Sequence, residues 1–191
     1  MGCKVCPFWV GYLLVNPLRR FIHDPEKILG PYVQAGMTVL DVGCAMGFFT
    51  IPLARMVGSH GTVVCVDVQE RMLHALLRRA RKARVAERLV TRLCDGASLR
   101  LQDLGGRVDF ALAFAVVHEA PDVPGFFFEL SEALKLGATC LVAEPKGHVS
   151  AREFEHTLGI AHKVGFESLA RPKISRSYTA LLQRVAPRNE R

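Results

Sequence analysis

The chain has 191 residues, half of them hydrophobic and 23% charged, and carries a formal net charge of +7. That length suits a single domain able to enclose a core without disulfides or a structural metal. No apolar run approaches the roughly 20 residues of a membrane-spanning helix, and the apolar stretch at residues 8–15 lacks the charged leader and cleavage site of a signal peptide. A cytoplasmic protein with no transmembrane segment is the expectation.

In chain order, residues 1–35 are broken by Pro7, Pro17, Pro25 and Pro31 into short helical or irregular pieces. They read as a cap or lid on a domain spanning 36–191. Residues 38–42 then form a buried apolar strand, 48–57 a helix and 62–67 a second buried strand, a βαβ unit. Within residues 71–92, Met72, Leu73, Leu76, Leu77, Ala80 and Ala83 recur at helical spacing, so the segment reads as an amphipathic helix. Strands follow at 89–93, 108–117 and 138–144, helices at 125–134 and 151–164, and two last strands at 167–171 and 176–184. Seven strands alternating with helices predict an α/β fold, a mostly parallel sheet covered on both faces.

Residues 71–92 hold eight basic side chains against one acid, Glu87, which accounts for the whole net charge. Without interleaved aromatics this stripe reads as a solvated helix face in preference to a polyanion-binding surface. Nucleic acid is therefore a disfavoured partner and a small molecule the favoured one. The six cysteines read as reduced thiols. Cys44, Cys65, Cys94 and Cys140 fall in or beside strands as small buried hydrophobes. Cys3 and Cys6 form a C-x-x-C pair without the second pair that a zinc site needs.

In an open parallel sheet, ligands bind beyond the carboxyl ends of the strands. The first strand ends in Asp41-Val-Gly43-Cys44-Ala45-Met-Gly47, where glycine permits a tight turn and close backbone approach to a ligand. The second ends in Asp67, whose carboxylate can accept both hydroxyls of a ribose, at the customary distance of roughly 20 residues. Together they signal a bound nucleoside. Ala45 and Phe48 occupy positions where the dinucleotide fingerprint needs glycine, which argues against a nicotinamide oxidoreductase. Asp95, followed by Gly96, is either a turn acid or a partner for an adenine amine.

These segments resemble the class I S-adenosylmethionine-dependent methyltransferases. The loop 41–47 is similar to their D-x-G-x-G-x-G, with Ala45 in place of the middle glycine, and Val66-Asp67-Val68 to their ribose-binding strand end. Leu134-Lys-Leu-Gly-Ala138 resembles the L-K-P-G-G turn before the fifth strand. Residues 108–122 resemble the fourth-strand motif of the branch that includes quinone-biosynthesis methyltransferases. The resemblance spans residues 36–185 and implies a Rossmann-like, doubly wound fold and an enzyme using S-adenosylmethionine and releasing S-adenosylhomocysteine. It implies that Asp41, Gly43, Cys44, Ala45 and Gly47 border the methionyl part, Asp67 the ribose, and Val68, Asp95 and Gly96 the adenine, with Ala115 also on the cofactor side.

Transfer by such a site rests mainly on aligning an acceptor lone pair with the sulfonium methyl. His118 is the catalytic candidate, a base for a hydroxyl or thiol with Glu119 to orient it. The alternative is a histidine that contacts cofactor or shapes the pocket. Glu144, Lys146 and His148 after the fifth strand are candidate substrate contacts, as are Trp9 and Tyr12 in the apolar cap. His118, Glu119, Glu144 and His148 lack the paired spacing that prearranges a metal site, so no metal is expected. The apolar cap suits a lid, a homodimer contact or a membrane-surface anchor alike. A non-catalytic S-adenosylmethionine-binding regulatory protein and an RNA or DNA methyltransferase are the competing functional readings.

Overall fold

A computed structural model describes Gly11 and residues 15–186. Cys3, Cys6, Trp9 and Tyr12 lie outside the described residues. Seven strands make a mostly parallel sheet accompanied by helices, the architecture that the alternation predicts. By its internal contacts the chain divides into two compact units, residues 1–95 and 96–191.

In the first unit, β1 (Thr38–Val42), β2 (Thr62–Asp67) and β3 (Leu89–Leu93) are parallel in the order β3-β2-β1. Short helix α1 (Pro25–Leu29) begins under Asp24, whose carboxylate accepts the Glu26 N–H, and it buries Leu29. Helix α2 (Thr50–Met56) returns the chain from β1 to β2. It starts two residues later than the sequence predicts, because Gly47 at φ 82° prolongs the turn; Pro52 still falls in the first turn, where a missing N–H is tolerated. Helix α3 (Glu70–Ala83) buries Met72, Leu73, Ala75, Leu76 and Ala80, the i, i+3, i+4, i+8 stripe of a helix packed on a sheet.

Most of the basic stripe is exposed on α3, but two of its arginines turn inward. Arg79 donates to the carbonyl of Met46, and Arg88 to that of Ala54 at 2.9 Å. Their guanidinium groups thus tie down backbone carbonyls before and within α2. Within the expected cap, the turn Pro17–Phe21 leaves Leu18 and Phe21 exposed, Phe21 to 89%.

In the second unit, β4 (Val108–Phe114) lies parallel to β5 (Leu134–Pro145). β7 (Ser177–Arg184) runs antiparallel to β5, and β6 (Phe166–Ala170) antiparallel to β7, giving the order β4-β5-β7-β6. Helix α4 (Val123–Ala133) is capped by Asp122, which accepts the Gly125 N–H at 3.0 Å. Helix α5 (Ala151–Lys163) opens with a capping box between Ser150 and Glu153. Phe127 of α4 meets Phe166 of β6 edge to face at 5.9 Å in the core, a contact worth ~1 kcal/mol beyond the area it buries.

Two boundaries differ from expectation. β4 stops at Phe114, short of residue 117, because Ala115 takes a left-handed conformation (φ 56°) and the chain folds into a single turn at Val117–Glu119. β5 begins at Leu134, ahead of 138: Leu134 pairs with Val108 and Thr139 with Phe110, so residues 135–138 bulge out opposite Asp109. Gly137 (φ 79°) permits the bulge, and the Lys135 ammonium pairs with the Asp109 carboxylate across it.

Candidate active site

In the first unit the loop from β1 to α2 is held to β2 by backbone. The N–H groups of Gly43 and Cys44 both reach the carbonyl of Val66, at 2.9 and 3.1 Å. Gly43, Ala45 and Gly47 all have positive φ, 71°, 46° and 82°, so the loop curls through alternate left-handed residues. Glycine adopts that conformation freely and alanine does not. At Gly47 there is a second constraint: a Cβ would stand 2.3 Å from Leu76 Cδ1, so α3 packs against bare backbone.

The carboxylates at the strand ends have separate duties. Asp67 Oδ2 accepts the N–H of Ala45 at 2.8 Å, and its Oδ1 accepts that of Gln69 at 2.9 Å. Backbone donors on both oxygens fix the plane of the group and leave acceptor capacity for a further donor. Burial raises the Asp67 pKa, and those backbone hydrogen bonds oppose the rise. Asp41 lies deeper and takes the Thr50 hydroxyl on Oδ2 at 2.5 Å. Burial pushes its pKa up to about 7 against the Thr50 hydrogen bond, with the negative charge of Asp67 adding to the rise. Asp41 therefore fastens loop to helix. Val68, at the end of β2, is exposed to 37% and presents an apolar face. Asp95 is exposed, and the N–H of neighbouring Cys94 bonds the Asp67 carbonyl at 3.1 Å.

In the second unit the polar centre gathers around Glu144, a carboxylate 1% exposed. Its Oε1 accepts the N–H groups of Val116 and Val117, at 3.1 and 2.9 Å, and its Oε2 accepts Nδ1–H of His118. A carboxylate only accepts, so the imidazole proton stands on Nδ1 and Nε2 carries the free lone pair. The Glu144 hydrogen bond raises the His118 pKa above 6.5, burial opposes the rise, and the charges of Glu144 and Glu119 add to it. His148 meets His118 edge to face, ring centres 5.4 Å apart. Lys146 departs from this group: its ammonium stands 5.2 Å from the ring centre of Tyr178.

Of the candidate substrate residues, Glu144 and His148 gather at His118, and Lys146 turns to the ring of Tyr178. Glu144 is consumed inside the protein as the partner of His118, the role expected of Glu119. Sequence reasoning also missed Thr50, Gln69 and Arg79. Among the described residues, no group of three or more His, Cys, Asp or Glu side chains is arranged to hold a metal ion.

Residues 33–177 match the family model described as a methyltransferase domain. The chain belongs to that methyltransferase family. It is 32% identical over 148 residues to a nocamycin O-methyltransferase of Saccharothrix syringae, covering 75% of this chain and 49% of that protein. A ubiquinone biosynthesis O-methyltransferase of Chelativorans sp. is 29% identical over 147 residues, covering 73% of this chain and 51% of that protein. The chain spans about half the length of these curated relatives. Among solved structures, an S-adenosylmethionine-dependent methyltransferase from Aquifex aeolicus superposes with a TM-score of 0.83 at 25% identity, covering 95% of this chain and all of that one.

The name of that structure gives S-adenosylmethionine as its cofactor, and the donor set of the first unit suits such a molecule. A fixed carboxylate with unspent acceptor capacity matches a vicinal diol, an exposed valine beside it matches a flat heterocycle, and a left-handed loop leaves backbone bare for close approach.

Proposed function

We propose that the chain is an S-adenosylmethionine-dependent methyltransferase that methylates a small-molecule acceptor, with Asp67 holding the ribose of the cofactor. The observation that carries this reading is the Asp67 carboxylate, set at the end of β2 by backbone N–H groups on both oxygens. Gly43, Cys44, Ala45 and Gly47 border the methionyl part, Val68, Asp95 and Gly96 the adenine, and Ala115 supplies backbone on the cofactor side. Asp41 acts one step behind them by fastening the loop to Thr50.

Bound S-adenosylmethionine supplies an electrophilic methyl on a sulfonium, to be displaced in line. The chain's own part in acceptor activation falls to His118. Its Nε2, left free because Glu144 holds Nδ1, accepts the proton of an acceptor hydroxyl, and Glu144 steadies the imidazolium that forms. The names of the nocamycin and ubiquinone relatives, both O-methyltransferases, support an oxygen acceptor. The inward turn of Arg79 and Arg88 weakens the case for a continuous polyanion stripe and so favours a small molecule over RNA or DNA. A cytoplasmic location agrees with the four cysteines among the described residues, all buried and none in a disulfide, and among the described residues no helix is long and apolar enough to cross a membrane.

The test is calorimetric titration with S-adenosylmethionine, S-adenosylhomocysteine and NADH, on the wild type and on Asp67→Ala. Micromolar binding of both adenosyl ligands, lost in the variant, is the expected result. Binding of NADH alone overturns the reading.

A further inference from the structure

Within the second unit lies a cleft of about 770 Å³, whose lining residue Tyr178 pairs in register with Glu144. It opens where β5 ends and β7 begins: Glu144 pairs with Tyr178 and Pro145 with Ser177. Among the described residues four cations line it, Lys146, Arg171, Lys173 and Arg176, against a single acid, Glu155. That acid is occupied by Arg171 at 3.0 Å, so the lining keeps three positive charges in excess. Clustered charges of one sign in a concave wall reinforce one another and draw in a counter-charge.

The frame around these cations is fixed by hydrogen bonds. The Lys146 N–H reaches the Arg176 carbonyl at 3.0 Å, the Ser177 N–H reaches that of Ile174 at 3.2 Å, and the Thr179 hydroxyl donates to the Pro172 carbonyl. The ring of Tyr178 stacks on Phe154, centres 5.9 Å apart, and carries the Lys146 ammonium near its own ring. An ammonium placed by a cation–π contact and two further cations on a tied loop form a prearranged receptor for a compact anion with several acceptor oxygens.

We propose that this cleft binds an anionic group of the methyl acceptor, a phosphoryl or carboxylate arm, held by Lys146, Lys173 and Arg176 while the acceptor hydroxyl is presented to His118. This assignment rests on the methyltransferase reading and narrows its substrate class to anionic small molecules.

The test uses phenyl phosphate as the probe, with inorganic phosphate and phenol as comparisons, titrated calorimetrically into the 191-residue chain saturated with S-adenosylhomocysteine. Each titration is repeated on Lys146→Ala, Lys173→Ala and the double variant. Both lysines are exposed, so these variants keep the fold, and their S-adenosylhomocysteine affinity serves as the check. Phenyl phosphate is expected to bind more tightly than either comparison and to weaken about tenfold per lysine removed, with S-adenosylhomocysteine binding unchanged. Phenyl phosphate that fails to bind, or binds all variants alike, overturns the proposal, as does inorganic phosphate binding equally well or a cleft that responds only to RNA. If phenyl phosphate binds and S-adenosylhomocysteine does not, the anion cleft stands and the methyltransferase reading falls.

Discussion

Asp67 Oδ2 and the backbone N–H of Ala45 meet at 2.8 Å, so the strand that ends in the proposed ribose acid also holds the loop following β1. On the proposed function, cofactor recognition and loop shape share one carboxylate. Replacing Asp67 with Asn keeps the size of the side chain but removes its charge and turns one acceptor into a donor facing an N–H. The expected outcome is S-adenosylhomocysteine binding weakened about a hundredfold, the scale of losing charge-assisted hydrogen bonds, measured by calorimetry beside a thermal melt of the same sample.

Ala45→Gly acts on the same loop in the opposite direction. A left-handed alanine costs roughly 1–2 kcal/mol, and glycine returns part of that as greater freedom in the unfolded chain. A net gain of about 0.5–1 kcal/mol is expected, a melting temperature about 2 °C higher, with cofactor affinity retained. A lower melting temperature would show that the Ala45 methyl contributes more through its packing on Met46 and Met72 than its backbone conformation costs.

Asp41 makes stability depend on pH in an uncommon sense for an aspartate. Its folded pKa of about 7 lies above the ordinary 3.8, so between those values the folded protein keeps a proton that the unfolded chain has released. Stability falls as pH rises through that window, and the deficit persists above it. Asp41→Asn removes the term. Denaturant unfolding at pH 8 is expected to show the variant more stable by on the order of 3 kcal/mol, with little difference near pH 4.

His118 titrates in the same direction for a different reason. Its pKa is raised chiefly by Glu144, so its contribution to stability is complete below the unfolded value near 6.5 and is lost as pH rises through the higher folded value. Proton-detected titration of the imidazole is expected to give a midpoint above 6.5 in the wild type and a lower one in Glu144→Gln. An unchanged midpoint in the variant would remove Glu144 as the partner that governs His118.

Asp41 and Asp67 were legible in the sequence because each ends a run of buried apolar residues, where a parallel sheet places its ligand edge. The pairing of His118 with Glu144 was not, since 26 residues separate them and only the β4–β5 register, Phe114 opposite Ala143, brings them together. The sequence offers Glu144, Lys146 and His148 together, after the fifth strand, as candidate substrate contacts. The chain leaves the sheet at Pro145, so the strand no longer sets where the later side chains point, and the Lys146 ammonium goes to Tyr178. The end of β4 was hidden likewise, because Val116 and Val117 continue an apolar run and only the backbone of Ala115 reveals the turn.

The four buried cysteines divide between the units, Cys44, Cys65 and Cys94 in the first and Cys140 in the second. Burial pushes the thiols of Cys44 and Cys140 to higher pKa, that of Cys140 to about 12, so in the closed protein they lack both the access and the thiolate needed for alkylation. Timed labelling with iodoacetamide, read peptide by peptide, thus becomes a pair of built-in clocks. Cys44 and Cys65 report when the half carrying Asp67 opens, Cys140 when the half carrying His118 does, and on the proposed function saturating S-adenosylhomocysteine should slow the first clock more than the second if the two halves open independently.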